Sequence, residues 1–263
     1  MSMSIRKSAA VARLNLMLQM KEPSVLLLIT IVPIILTPFM VPGNKATLVS
    51  EGYIHATGAE QAVPGFAILF SFFSVQLIVQ MFFNERHWGT WDRLRASSLS
   101  VGDVIVGKAG VAVVLQIAQM GIVLVAGTLI CGYRPNGSIA ALAITALVFC
   151  LALALFGVAV SLWCASEHTA LAVAMLLGML MACIGGSLTP VNTFPAWAQP
   201  LARISPAYWV VDAIRRIGLD RGNLFTIMPN LFVIVGFGAV CMAFIIIARL
   251  TTYGRAKASS ASV

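Results

Sequence analysis

The stretch Gly102-Asp103-Val104-Ile105-Val106-Gly107-Lys108-Ala109 has the G-x-x-x-x-G-K spacing with which a loop cradles phosphates while its lysine reaches the outer oxygens. Magnesium needs a hydroxyl at the eighth place, and Ala109 has none; the intervening residues are apolar and a long apolar run follows. His55, His87 and His168 fall in three separate loops, and Cys131, Cys150, Cys164, Cys183 and Cys241 contain no C-x-x-C pair. No metal set is expected, and the cysteines read as small apolar helix residues. A serine nucleophile needs a base beside it, and the apolar runs hold no His, Asp or Glu to serve as one. What remains is a set of amides. Gln76 and Gln80 stand at i, i+4, and Gln116 and Gln119 at i, i+3, so each pair shares one face of a helix. Such pairs either line a transport path or hydrogen-bond neighbouring helices, at about 1 kcal/mol each.

The elements that position these amides follow from composition. Sixty percent hydrophobic and 10% charged excludes a water-soluble domain, a disordered chain and a disulfide-stapled secreted module. An integral membrane protein is left. Runs long enough to cross about 30 Å of hydrocarbon as helices cover Val25 to Val41, Val63 to Phe83, Val104 to Cys131, Ile139 to Cys164, Thr169 to Leu188 and Leu224 to Ala248. The first is short and holds Pro33 and Pro38, whose missing donors free carbonyls for neighbouring helices or hydroxyls such as Thr30. Lys108 is the one charged residue inside these runs, about a turn from an end, and is expected to snorkel. On the fifth run Gly178, Ala182 and Gly186 form a small-residue row suited to close approach by another helix or a second subunit.

Ile5, Val11, Leu14 and Leu18 interleaved with Arg6, Arg13 and Lys21 predict an amphipathic helix over residues 1–24, lying on the membrane before Pro23 turns the chain inward. No A-x-A site follows Val41, so the first run reads as an uncleaved membrane helix. Six crossings put both termini on one side. Arg6, Lys7, Arg13, Lys21, Arg86, Arg93, Arg95, Lys108, Arg249, Arg255 and Lys257 lie on that side, and it is expected to be cytoplasmic. The formal charge of +8 suits an anionic inner leaflet; no basic stretch is long enough for nucleic acid.

Two polar stretches carry more information. From Asn84 to Ser100, Trp88, Trp91, Leu94 and Leu99 recur at roughly helical spacing while Arg86, Arg93 and Arg95 point elsewhere, which predicts a short helix along the inner surface. Between the fifth and sixth runs, Pro190, Pro195, Pro200 and Pro206 break the backbone among Phe194, Trp197, Tyr208 and Trp209. That pattern predicts short helices at the outer interface, with Arg203, Arg215, Arg216 and Arg221 placed to meet headgroup phosphates.

Glu85-Arg86, Gly89-Thr90, Arg93-Leu94 and Gly107-Lys108 resemble the E-R-x-x-G-T-x-x-R-L…G-K signature of ABC-2 type exporter permeases, the group with daunorubicin-resistance and polysaccharide-export subunits. Thr189-Pro190-Val191-Asn192-Thr193-Phe194-Pro195-Ala196-Trp197, running on to Pro206, Tyr208 and Arg215, resembles the family's second conserved stretch. Ser98 stands where the family often has proline, which weakens the expected end of the inner helix.

The resemblance implies an all-α integral membrane fold, read as one transmembrane domain over residues 1–263 in the cell's plasma or inner membrane. Glu85, Arg86, Gly89, Thr90, Arg93, Leu94 and Arg95 would form a coupling helix. Pro190, Asn192, Pro195, Trp197, Pro206 and Tyr208 would belong to external re-entrant helices that cap the path. Two copies of a cytoplasmic ATPase subunit would carry ATP and Mg, this chain binding neither, and a second permease subunit would complete the path. The expected activity is export of a hydrophobic or amphipathic substrate: drug, lipid or glycan. The competing expectation is an ATP-independent pore or secondary transporter; the absence of Asp and Glu from the runs argues against proton coupling.

Overall fold

The computed structural model describes residues 5–87 and 101–260. Its elements are α1 (Ile5–Lys21), α2 (Ser24–Ser50), α3 (Ala59–Phe73), α4 (Val75–His87), α5 (Val101–Cys131), α6 (Ile139–Trp163), α7 (Glu167–Ile184), a 3-10 turn (Val191–Thr193), α8 (Gln199–Ala202), α9 (Pro206–Gly218) and α10 (Leu224–Ser260). Among the described residues there are six membrane-length helices, with α3 and α4 forming one span, Ala59–Asn84. The chain is an all-helical, multi-pass membrane protein. Both the first and last spans have their chain-terminal ends at the end of the bundle that holds α1; the opposite end is called the far end below.

The first span differs from its expected 25–41. The helix continues to Ser50, about 40 Å, and contains Pro33, Pro38 and Pro42. Proline is tolerated because the freed carbonyls find other donors. Pro33 leaves the Ile29 carbonyl without its helical partner, and Gln119 Nε2 of α5 reaches it at 3.5 Å. The Thr30 hydroxyl turns to Leu26 O instead, at 2.7 Å.

Span two is the centre of the bundle. Every residue from Ala59 to Phe72 is buried. The Glu60 carboxylate anchors its start, accepting from the Thr57 and Gly58 backbone amides at 3.1 and 3.0 Å. This favours the helix N-terminus both as cap and as negative charge. The segment that follows α7 lies directly on it: Gln61 Nε2 donates to Gly186 O at 2.8 Å, and a Cβ on Gly65 would fall on the Ser187 carbonyl oxygen. Gly186 turns the chain there with φ +82°, a conformation suited to glycine.

The span is interrupted at Ser74. Leu77 N donates to Ser74 O, three residues back, and the Ser74 hydroxyl donates to Ser71 O at 2.7 Å.

At the near end, α1 is present where amphipathicity predicts it, yet its packed face is rotated. Ser8, Val11 and Asn15 are buried, while Leu14 is 56% exposed. The reason is Gly107 of α5, whose missing side chain admits Ser8 O and Val11 to contact. On α7, Ala170, Ala174, Gly178 and Ala182 are buried, with Gly178 against Phe72 of span two. The small-residue row therefore packs within this chain, and Gly186 lies beyond the helix end.

Gly65→Ala is expected to destabilise the chain by about 2 kcal/mol or more, because the obstacle is backbone rather than a movable side chain. Gly110→Ala, into open space, should leave the thermal unfolding midpoint unchanged or slightly raised.

Candidate functional site: the two halves of span two

Along α3 the helix is wrapped by α2, α5, α7 and α9, whereas α4 is packed by α5, α6 and α7. One face consequently opens from Phe73 onward. Phe73, Gln76, Gln80 and Asn84, spaced by three, four and four residues, are partly exposed, while Val75, Leu77, Ile78, Val79, Met81, Phe82 and Phe83 are buried. Val75 and Ile78 meet Gly157 of α6, on the side away from the open row. Gln76 and Gln80 thus share a face, as their spacing requires.

The other amide pair goes to a different place. Gln116 and Gln119 are both 1% exposed, inside the bundle. Gln119 Oε1 accepts from Ser71 Oγ at 3.2 Å and its amide nitrogen reaches Ile29 O, so it ties α5 to the first two spans. Gln116 makes no hydrogen bond with either amide atom among the described residues. Contacts of Lys108 with Met81 and of Gln119 with Ser71 set the register of α5 on span two, which puts Gln116 at about the level of the Ser74 interruption.

Lys108 does not snorkel. It is fully buried, donating Nζ to Met81 O at 2.6 Å with Nζ 4.6 Å from the Phe82 ring centroid. One turn earlier Asp103, also fully buried, accepts from Ser8 Oγ of α1 at 3.4 Å. The Gly107-Lys108 pair of the sequence motif therefore joins α1, α5 and α4. Asp103 and Glu60 also place carboxylates in the first turns of membrane-length helices, just outside the apolar runs read from the sequence.

At the far end a cavity of about 480 Å³ is lined by Glu51, Tyr53, Asn192, Tyr208, Asp212, Arg215, Arg216 and Asp220 among others. Arg215 pairs with Glu51, and Arg216 Nε donates to Asp212 Oδ2 at 2.7 Å. These two guanidiniums are paired with carboxylates of the chain itself, a partner that the expected contact with headgroup phosphates did not include. Tyr53 Oη donates to Asp220 at 3.1 Å; burial, then that hydrogen bond, push the tyrosine above its ordinary pKa, so it stays a donor through neutral pH. Asn192 and Tyr208 line this cavity, and Pro206 opens α9 behind a Ser205 cap. Pro190 precedes the 3-10 turn, Pro195 follows it, and Trp197 is 74% exposed before α8. Glu51, Tyr53, Asp212 and Asp220 were not legible as a group, because partners such as Glu51 and Arg215, 164 residues apart, carry no local signal.

Of the expected coupling residues, Glu85 and Arg86 continue the backbone of α4, which ends at His87. Gly89, Thr90, Arg93, Leu94 and Arg95 lie outside the described residues.

Among the described residues, six membrane-length helices include a central span closed on one half and open along a polar row on the other, an arrangement that fits a transport permease. The chain belongs to the ABC-2 family transporter proteins, whose family model matches residues 8–247. It is similar to the "Probable multidrug ABC transporter permease YbhR" of Escherichia coli strain K12, at 29% identity over 148 residues, 56% of this chain and 40% of that protein. The protein of the same name from Escherichia coli O157:H7 matches to the same extent. The aligned part thus spans less than half the length of these relatives.

Exchanging the buried amides should separate their roles. Gln119→Leu is expected to lower the thermal midpoint, with a loss of about 1–2 kcal/mol, since Ile29 O is left unmet. Gln116→Leu should leave it unchanged or raise it, because an unpartnered buried amide is replaced by an apolar group of similar size.

Proposed function

We propose that this chain is the membrane subunit of an ATP-driven exporter, moved by a separate cytoplasmic ATPase that grips the Glu85–Arg95 segment. The supporting observation is the course of span two. Its open, amide-bearing half runs without interruption from Val75 to His87 and so leads directly into that segment. A helix transmits an axial or tilting displacement along its length, and the Ser74 interruption gives the inner half a point about which to move.

In this reading the α1 end is cytoplasmic in the cell's inner membrane, and the far end faces outside. The row Gln76–Gln80 then faces the path from the cytoplasmic side, and the sealed stretch Ala59–Phe72 with the Glu51–Arg215 pair closes it outside. The stretch from Pro190 to Tyr208 caps the closed end. Two ATPase copies hold ATP and Mg; this permease domain binds neither. A second permease subunit, identical or homologous, completes the path. ATP-driven closure of the ATPases tilts the grip segment and shifts spans one, two and five against the second subunit, opening the outer half as the inner half closes. Such alternation needs a bistable packing and no catalytic residue on this chain. The substrate is hydrophobic or amphipathic, matching a path with an apolar wall.

Glu85→Ala with Arg93→Ala is expected to reduce co-purification of the ATPase subunit at least about tenfold, with the permease still inserted, as removal of paired charges from a small interface does. Undiminished complex formation and transport contradict the coupling assignment.

A further inference from the structure

The amide row on α4 carries information about what it touches. Gln76, Gln80 and Asn84 are partly exposed within a membrane-length helix, and none of the three hydrogen-bonds to another described residue of the chain. Unmet amides facing hydrocarbon are costly, so the row implies a hydrogen-bonding occupant. The row itself has no charge, and Asp103 and Lys108 of the neighbouring α5 are fully buried with partners of their own. An ion seated on three neutral amides beside an apolar wall would lose its hydration without gaining a counter-charge. A hydroxyl- or amide-bearing head loses little, because each glutamine offers both donors and an acceptor. Successive amides are one helical turn apart, about 6 Å, which matches several hydrogen-bonding groups on one head rather than a single one.

We propose that the Gln76–Gln80–Asn84 row binds the uncharged, hydroxyl-rich head of an amphipath whose apolar tail lies in the bilayer, a glycosyl lipid being the simplest example. The proposal deepens the export reading by naming the chemistry of the cargo. Its test is an equilibrium binding measurement without nucleotide or ATPase, so it fails or holds separately from ATP coupling.

The full chain is purified in a polyoxyethylene detergent, which carries no sugar, and offered equal amounts of three dioleoyl lipids. Their heads are glucosyl, phosphoglycerol and trimethylammonium. Native mass spectrometry counts the retained lipid. The glucosyl lipid should be retained about tenfold over either charged lipid, as two or three net hydrogen bonds allow, and Gln76→Leu with Gln80→Leu should erase that preference. Gln80→Asn, which keeps an amide, should retain it, and Gln80→Glu should shift retention toward the ammonium lipid. A wild-type preference for a charged lipid overturns the proposal, as does a glucosyl preference that survives the double substitution. Loss of a dimer peak in the double variant with no change in lipid preference assigns the row to chain–chain contact and equally overturns it.

Discussion

Gly65 and the Ser187 carbonyl occupy the same small space, and the architecture of the far half depends on that fit. Because no side chain stands at Gly65, the segment after α7 lies on span two, where Gln61 meets its Gly186 carbonyl. That placement carries α9 onto α3, brings Arg215 to Glu51 and Tyr53 to Asp220, and leaves no face of α3 open from Ala59 to Phe72. No comparable cover reaches α4. With α2 and α5 already flanking α3, this backbone-to-backbone approach completes the cover of one half of the span and leaves the other half open.

Hydrocarbon sorts the polar groups by a single criterion, whether the bundle supplies a partner. Gln119 answers the carbonyl that Pro33 frees, so a proline and an amide on different helices form one unit. Lys108 spends its charge on Met81 O and Phe82 rather than on water, which holds α5 to the inner half of span two. Gln116, at about the level of the Ser74 interruption, departs from that rule: it is buried, with neither amide atom bonded among the described residues. A buried unmet amide costs stability in this arrangement and is available to an arrangement in which α4 has moved. In the proposed cycle the interruption and Gln116 are the place where the two halves of span two change their relation.

The membrane helices were legible because hydropathy over some 20 residues is a local property. The i, i+4 spacing of Gln76 and Gln80 also fixed their shared face, since helix geometry alone decides it. Which pair of amides faces outward was not legible: Gln116 and Gln119 have the same spacing logic, and tertiary packing alone separates them. The length of the first span was underestimated because Pro42 and the polar Asn44-Lys45 pair end the hydropathy signal before the backbone helix ends. Lys108 was misjudged for a related reason. Distance from a helix end says that a lysine is able to reach water, and it does not say that a carbonyl and a ring are nearer. The far-end ion pairs join residues distant in sequence, so only the fold brings them together.

In the proposed orientation, span two is reachable from the inner side along α4 and sealed along α3. With the five native cysteines replaced by alanine, single cysteines at Gln80 and at Ile68 are exposed to a membrane-impermeant thiol reagent, in intact cells and in inside-out vesicles. Position 80 should react in the inside-out vesicles and be protected in intact cells, while position 68 stays unreactive in both. Labelling of position 80 from intact cells alone, or of position 68 from either side without ATP, would contradict it.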